Sequence, residues 1–366
     1  MVWKGEIKLG RLVGTGTIGD MAKEIRNHIK EPAEETELLP KGDFSRVVST
    51  GSTLLDLAIS GTRISGGGVP SGILMEISGP SGFGKTTVLS EIGANAQARG
   101  GFFYIGDAEH RLNAEYAKMM GIHITDKNYR RPITVKDVEE LILNMPVTSG
   151  EGIIDVVGID SIAVLESELD TSDKGDKRGS SRAKELHSLC RKARHQMADK
   201  NRLIVFTNQI QDVQDGTMFG PKEKTPGGHA VPFMSSLRIR IGPAPTWKMK
   251  EKVIFNGKEV EQIIGIISNC NVFKSSIDRC FRTANIYIRY DYGIDDVYAN
   301  LKFCKMYSQD TMYQIDGEII GRSIDEARMI VDNNRDLEKK LKDRTIGIWE
   351  SIQKGFSCPL RPKNRG

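Results

Sequence analysis

The sequence has little that would tie it to an oxidising compartment or to a membrane. Its five cysteines, Cys190, Cys270, Cys280, Cys304 and Cys358, are scattered and odd in number, and no two form a C-x-x-C pair. Neither a zinc ribbon nor a dithiol redox centre is indicated, and reduced thiols are expected. An excess of one charge is also missing. Lys and Arg number 52 against 48 Asp and Glu, which leaves a net charge of +4. Any acidic partner must then be recognised by local clusters and not by the field of the whole chain. No apolar run approaches the length of a membrane span. Met1 to Gly19 mixes Lys4, Glu6, Lys8 and Arg11 with glycines where a signal peptide would carry its apolar stretch. The expectation is a cytoplasmic protein with no membrane partner. Its 366 residues, 39% hydrophobic, suffice for one large core domain with appendages.

Along the chain, residues 1–40 read as an N-terminal segment apart from the core. Asp20 could cap a short helix with Met21, Ile25 and Ile29 on one face, either a loose terminus or a subunit contact. From Lys41 the pattern alternates. Apolar runs at Ile73–Ile77, Phe102–Ile105, Ile153–Ile159 and Leu203–Thr207 read as strands, the third buried on both faces although it contains Asp155. Val88, Leu89, Ile92 and Ala96 share one helical stripe, and so do Ala183, Leu186, Cys190, Ala193 and Met197. This order predicts an α/β core with a mostly parallel central sheet. The strand Phe102–Ile105, next in sequence after the first helix, is expected near the first strand. After Leu237 the runs Leu237–Ile241, Ile263–Ile267 and Ala284–Tyr290 follow without intervening helices, so antiparallel additions are expected. Residues 295–358 read as a small α+β C-terminal domain, with a capping signature at Ser323 and Glu326 and an apolar stripe at Leu337, Leu341, Ile348 and Ile352. Residues 359–366 form a basic tail.

Chemistry concentrates at a few places. Gly79-Pro80-Ser81-Gly82-Phe83-Gly84-Lys85-Thr86, followed by Thr87, fits G-x-x-x-x-G-K-[ST] between a strand and a helix. The glycines let backbone N–H groups face a phosphate, and the helix N-terminus adds its dipole. Lys85 would bridge β- and γ-phosphate oxygens, and Thr86 would place a hydroxyl on Mg²⁺. Asp160 closes the strand Ile153–Ile159 at the edge where ligands bind in open α/β sheets, as a second Mg²⁺ anchor. Asp107 and Glu109 follow the strand Phe102–Ile105. Either carboxylate could orient a water in line with the γ-phosphate. Glu109 is preferred, but spacing alone does not separate them. Gln209 opens a long glycine-containing loop, Ile210 to His229. A neutral amide there could bond a γ-phosphate oxygen and lose that partner on hydrolysis, making the loop a switch.

These blocks together resemble the RecA family of strand-exchange ATPases, over roughly Gly42 to Ile294. The resemblance is carried by Val48-Ser49-Thr50-Gly51-Ser52-Thr53-Leu54-Leu55-Asp56 and by the lead into the phosphate loop from Val69 to Pro80. It continues through Tyr104 to Ala117, Leu203 to Ile210, Met218-Phe219-Gly220 and Thr225-Pro226-Gly227-Gly228. It implies a RecA-like P-loop core (residues 41–294), an N-terminal oligomerisation segment, and a DNA-dependent ATPase of homologous recombination in a bacterial cell or a phage-infected host. By the same resemblance Glu109 activates water, Tyr116 stacks on adenine and Tyr290 lies near the nucleotide. ATP and Mg²⁺ are the implied cofactors. Single- and double-stranded DNA and a helical homo-oligomer are the implied partners. Met218, Phe219, Gly227 and Gly228 in the long loop, and Lys177, Arg178 and Arg182 after the Asp160 strand, are the candidate DNA contacts.

The sequence departs from the bacterial pattern in three ways. The lysine pair that reaches a neighbour's ATP is absent from Ile266 to Phe281, where Lys274 is the candidate substitute, with Arg279 behind it. The acidic tail is replaced by Arg361, Lys363 and Arg365. Asn113 stands where an aspartate is expected. A divergent or phage-encoded recombinase fits these differences. A regulatory relative that binds ATP and DNA without exchanging strands, and a ring-forming helicase of the same core class, are the alternatives.

Overall fold

The computed structural model describes residues 46–146, 148, 150, 152–168, 178–198, 201–212, 223–226, 228–308 and 310–356. The N-terminal segment 1–40 and the basic tail 359–366 lie outside them.

Among the described residues, one sheet is built from β1 (Leu74–Gly79), β2 (Phe103–Asp107), β3 (Tyr129–Arg130), β4 (Asp155–Asp160), β5 (Arg202–Gln209), β6 (Leu237–Phe255), β7 (Lys258–Ser275), β8 (Thr283–Arg289) and β9 (Gly293–Ile294). Its spatial order is β9-β8-β7-β6-β1-β5-β4-β2-β3. From β6 to β3 every pairing is parallel. From β6 to β9 every pairing is antiparallel, the additions expected from the change of pattern after Leu237.

The parallel strands read as unbroken apolar runs because helices cover both faces. Every residue of β1, β2 and β4 is buried. On one face Val157, Ile159, Ile204 and Phe206 meet Val138 and Ile142 of α4 (Val135–Asn144) and Leu186, Cys190 and Ala193 of α5 (Arg178–Ala198). On the other lies α2 (Lys85–Ala98), with Val88, Leu89, Ile92 and Ala96 buried. Asp155 survives inside β4 because its carboxylate accepts hydrogen bonds from the Phe102 and Thr148 N–H groups at 3.0 and 2.8 Å and from the Thr148 hydroxyl at 2.7 Å.

Two expectations need correction. β2 does not neighbour β1: β5 and β4 lie between them. Succession in sequence does not fix adjacency once crossovers are right-handed and long. The segments after Leu237 are also far longer than their apolar runs. β6 and β7 span 19 and 18 residues and form a ribbon that closes at Asn256 and Gly257. Both turn residues have positive φ, 49° and 74°, and Phe255 pairs with Lys258, a two-residue type I′ hairpin. Cross-strand pairs Lys250–Glu261 and Lys252–Glu259, each at 2.7 Å, extend it beyond the apolar part.

A smaller α+β unit follows: α6 (Asp296–Met306), a hairpin of Tyr313–Ile315 with Glu318–Gly321, α7 (Ile324–Asp332) and α8 (Arg335–Gly355). Val297, Leu301, Ile320, Ala327, Val331 and Leu341 form its own core. It is fastened to α1 (Thr53–Ser60), because the Asp296 carboxylate accepts from the Thr53 N–H at 2.7 Å and the Thr53 hydroxyl at 2.6 Å. No helix among the described residues is long and apolar enough to cross a membrane.

At that junction Glu91 of α2 accepts from the Ile294 N–H at 3.4 Å. Burial pushes its carboxyl up to about 7. The Ile294 bond opposes the shift and the nearby Asp296 adds to it. Between about pH 4.5 and 7 the folded chain therefore holds a proton that the unfolded chain has released, so stability falls as pH rises through that window. Glu91→Gln, which keeps an acceptor for Ile294, is expected to be more stable than the parent at pH 8, by up to about 3 kcal/mol. The gain should shrink towards pH 4.5, as read by urea unfolding at both ends. An equal difference at both pH values would refute this assignment.

Candidate nucleotide site

The phosphate loop joins the end of β1 to the start of α2. Gly84 caps the helix with φ of 88°, a conformation that favours glycine, and a Cβ there would lie 2.2 Å from the Ile288 side chain. Gly79 sits against β6 so closely that a Cβ would stand 2.1 Å from the Ile241 carbonyl. The Lys85 ammonium donates to the carbonyls of Gly79 and Pro80, each at 2.9 Å. Burial lowers its hold on its proton, Asp160 and Glu109 restore part of it, and Arg111 works against them. The Thr86 hydroxyl donates to Asp160 Oδ2 at 2.6 Å, and the Thr207 hydroxyl of β5 donates to Oδ1. Burial raises the Asp160 carboxyl, the two hydroxyls oppose the shift, and Glu109 and Asp107 add to it.

Asp107 and Glu109 are separated by their partners. The buried Asp107 carboxylate accepts from the Arg111 N–H at 3.1 Å, the Leu112 N–H at 3.0 Å and the Tyr129 hydroxyl at 2.8 Å, so it shapes the turn. His110 completes that turn with φ of 55°. Glu109 reaches over β4, its N–H donating to the Asp160 carbonyl at 3.1 Å. This is how a strand separated from β1 by two others brings a carboxylate to the phosphate loop. Glu109 Oε1 accepts from the Ser161 hydroxyl at 2.6 Å and from Gln209 Nε2 at 3.3 Å, and Oε2 pairs with Arg111 Nη1 at 3.0 Å.

Ser81, Gly82, Gly84, Lys85, Thr86, Thr87, Glu109, Tyr116, Asp160, Gln209 and Tyr290 all line one cleft of about 300 Å³. Arg111, Ile266 and Ile288 line it too, although no motif in the sequence marks them for it. The Tyr116 hydroxyl lies 3.4 Å from Thr87 Oγ1. Asn113 accepts from the Tyr116 N–H at 2.7 Å and caps α3 (Ala114–Met119), a task that asparagine performs as well as aspartate. Phe83 turns outward onto the β6–β7 ribbon. Its ring meets Trp247 edge-on at 5.6 Å, and its carbonyl accepts from the Ser268 hydroxyl at 3.0 Å. A larger cleft of about 580 Å³, lined by Lys127, Arg130, Arg131 and Asp137 near the outer strand β3, holds none of the phosphate-loop residues.

Thr86 and Asp160 present a hydroxyl and a carboxylate oxygen side by side. Such hard donors, few in number, suit a cation that keeps most of its waters and takes phosphate oxygens, as Mg²⁺ does. Among the described residues no cluster of three or more His, Cys, Asp or Glu side chains could hold a metal alone.

The loop residues are described only in part. Lys177, Met218, Phe219 and Gly227 lie outside the described residues, and of Arg178 only the backbone, in α5, is described. Arg182 donates to the carbonyls of Ile162 and Ala163 at 2.8 and 2.7 Å, just beyond the Asp160 strand. Gly228, with φ of 74°, sits against Ala183 of the same helix, so the two loops meet at their bases. Gln211–Asp212 pairs with Glu223–Lys224 and continues β5 into a short ribbon. Lys274 lies outside the phosphate-loop cleft, near the end of β7 and in register with Arg238, and donates to the carbonyls of Pro232 and Phe233 at 3.0 and 2.8 Å.

A family model described as the RecA N-terminal domain matches residues 41–295. The chain belongs to the RecA family. Protein RecA of Frankia alni is 32% identical over 332 residues, 87% of this chain and 90% of the relative. Protein RecA of Colwellia psychrerythraea is 32% identical over 308 residues, covering 81% and 83%. That of Rickettsia canadensis is 36% identical over 249 residues, covering 68% and 67%. Three of the RecA-like blocks of the sequence fall on β1 with its loop, on β2 with the Asp107 turn, and on β5. All three lie at the C-terminal edge of the parallel strands.

Proposed function

We propose that this RecA-family chain is a DNA-dependent ATPase that polymerises on single-stranded DNA and promotes homologous pairing and strand exchange. The observation that carries the proposal is the Glu109–Gln209 contact at 3.3 Å. Gln209 ends β5, touches the carboxylate beside the phosphate loop, and begins the long loop to His229. One residue earlier in β5, Asn208 Nδ2 donates to the Pro226 carbonyl at 3.3 Å, near the far end of that loop. A change at the γ-phosphate would thus be felt at both ends of the loop.

In this reading Gly79 to Thr87 cradle the triphosphate of ATP, Tyr116 and Tyr290 flank the base, and Lys85 neutralises β- and γ-oxygens. Thr86 and Asp160 would hold Mg²⁺, which supplies charge neutralisation between the phosphates when bound. Glu109 orients water. The water oxygen would add to the γ-phosphorus as its proton passes towards the Glu109 carboxylate, the bond to the β–γ bridging oxygen would break, and ADP would leave with that electron pair. Residues 1–40 would contact a neighbouring subunit in a helical homo-oligomer. Lys274, turned from its own pocket, would be available only to a neighbour. Arg178, Arg182, Gly228 and the loops that carry Lys177, Met218, Phe219 and Gly227 would meet single- or double-stranded DNA in the cytoplasm.

The test is ATP turnover with and without single-stranded DNA, followed by strand exchange between homologous DNAs. Stimulation by DNA and exchange are expected. Turnover indifferent to DNA would overturn the proposal, and stimulation without exchange would reduce the chain to a regulatory member.

A further inference from the structure

We infer that Arg111 is a γ-phosphate-reading residue that acts within its own subunit, and that by leaving Glu109 for a nucleoside triphosphate it frees that carboxylate. The inference rests on the nucleotide reading above and specifies how the pocket tells a triphosphate from a diphosphate.

The ion pair is unequal. Arg111 Nη1 lies 3.0 Å from Glu109 Oε2, but the arginine side chain is 64% exposed while that of the glutamate is only 8% exposed. An exposed partner gains little from such a pair, because water and salt screen it. A terminal phosphate carries more charge than a carboxylate and offers oxygens in a geometry that the planar guanidinium fork can grip twice. Exchange of the carboxylate for the phosphate is therefore favoured.

The backbone is built so that only the side chain needs to move. Both Asp107 oxygens clamp the turn through the Arg111 and Leu112 N–H groups. Arg111 lines the same cleft as Lys85, Thr86 and Gln209. Its charge also reaches Lys85, since it is among the causes that lower that lysine's hold on its proton. Among the residues lining the cleft, Lys85 and Arg111 are the cations, facing Glu109 and Asp160. A triphosphate adds charge to a cleft that already holds two carboxylates, and Arg111 is the cation there with reach to spare.

The exchange has a directed consequence. Glu109 Oε1 is held by Ser161 and Gln209, whereas Oε2 is held by Arg111. Departure of the guanidinium uncovers Oε2 alone, on a carboxylate whose orientation the other two contacts preserve. The oxygen that can accept from an attacking water is then released by the arrival of the group to be attacked. A diphosphate, with nothing at the γ position, leaves the pair closed.

The experiment compares wild type, Arg111→Ala and Arg111→Lys. It measures dissociation constants by calorimetry for Mg²⁺-ADP and for Mg²⁺ with the β,γ-imido analogue of ATP, and turnover at saturating ATP. Arg111→Ala should weaken the triphosphate analogue about tenfold or more. ADP affinity should stay within about twofold and turnover should fall. Arg111→Lys should recover part of the discrimination. Equal weakening for both nucleotides, no weakening for either, or faster turnover in Arg111→Ala would each overturn the inference and leave the nucleotide reading intact. Failure of the wild type to bind either nucleotide would overturn both.

Discussion

Replacing Glu109 with glutamine is expected to lower ATP turnover by about 100-fold or more while the chain still binds nucleotide. The substitution keeps shape and an acceptor. The Ser161 hydroxyl, 2.6 Å from Oε1, and Gln209, 3.3 Å away, retain a partner in the amide oxygen. What disappears is the charge that polarises and aligns water, an effect confined to the transition state, so the loss should fall on kcat and spare KM. Arg111 also loses its anion. With the 3.0 Å pair gone, its guanidinium is free for a phosphate, and affinity for a triphosphate should hold or rise. The pattern of slow turnover with firm binding separates a chemical role from a structural one. A carboxylate that only shaped the turn would behave as Asp107 does, whose loss would release three donors and damage the fold. Single-turnover kinetics with nucleotide affinity measured in parallel would decide it. Unchanged kcat, or equal losses in binding and turnover, would assign the water to another group.

How much of this was legible follows from what each residue type can announce. Buried parallel strands announce themselves because both faces are apolar, so β1, β2, β4 and β5 were visible as runs, and the phosphate loop between β1 and α2 as a motif. Strand order was not visible, since nothing in Phe103 to Asp107 records that β4 and β5 intervene before β1. The outer half of the β6–β7 ribbon was hidden by composition. Lys250, Lys252, Glu259 and Glu261 pair across it at its exposed end, and alternating charge reads as loop. The Asn256-Gly257 turn was the available signal, flanked by Ile254 and Phe255, and it is strong for a two-residue hairpin. Asp107 and Glu109 could not be told apart by spacing because their difference lies in partners that only folding supplies. Thr207, the hydroxyl that fixes Asp160, read simply as the polar end of a strand. Arg111 carried no signal at all, since an arginine after a tight turn is ordinarily surface.

The largest effect on stability is expected at Glu76. Its side chain is wholly buried at the middle of β1, where the register sets it opposite Arg238 of β6. Oε2 pairs with Arg238 Nε at 2.5 Å and Oε1 accepts from Asn208 Nδ2 of β5 at 2.9 Å, so one carboxylate fastens three adjacent strands. The arginine is nearly enclosed, with its guanidinium 5.4 Å from the Phe273 ring centroid. Removing only the acid strands a buried cation and a buried amide donor. Glu76→Ala should therefore cost about 3–5 kcal/mol, enough to unfold a marginal domain. Glu76→Gln keeps an acceptor and loses the charge, so it should fall between. The pair is not irreplaceable as a source of stability. Glu76→Met combined with Arg238→Met removes both charges together and should recover much of the loss, because desolvation offsets most of what a buried pair gains. Denaturant unfolding of the four chains measures this, and a loss below about 1 kcal/mol for Glu76→Ala would show that water reaches Arg238. The double substitution also bears on function. Asn208 holds Glu76 with the same amide nitrogen that reaches Pro226 at 3.3 Å. A refolded but uncharged core would free that amide from β1, and the loop to His229 would respond less to the phosphate loop. DNA stimulation of ATP turnover should then fall further than stability does.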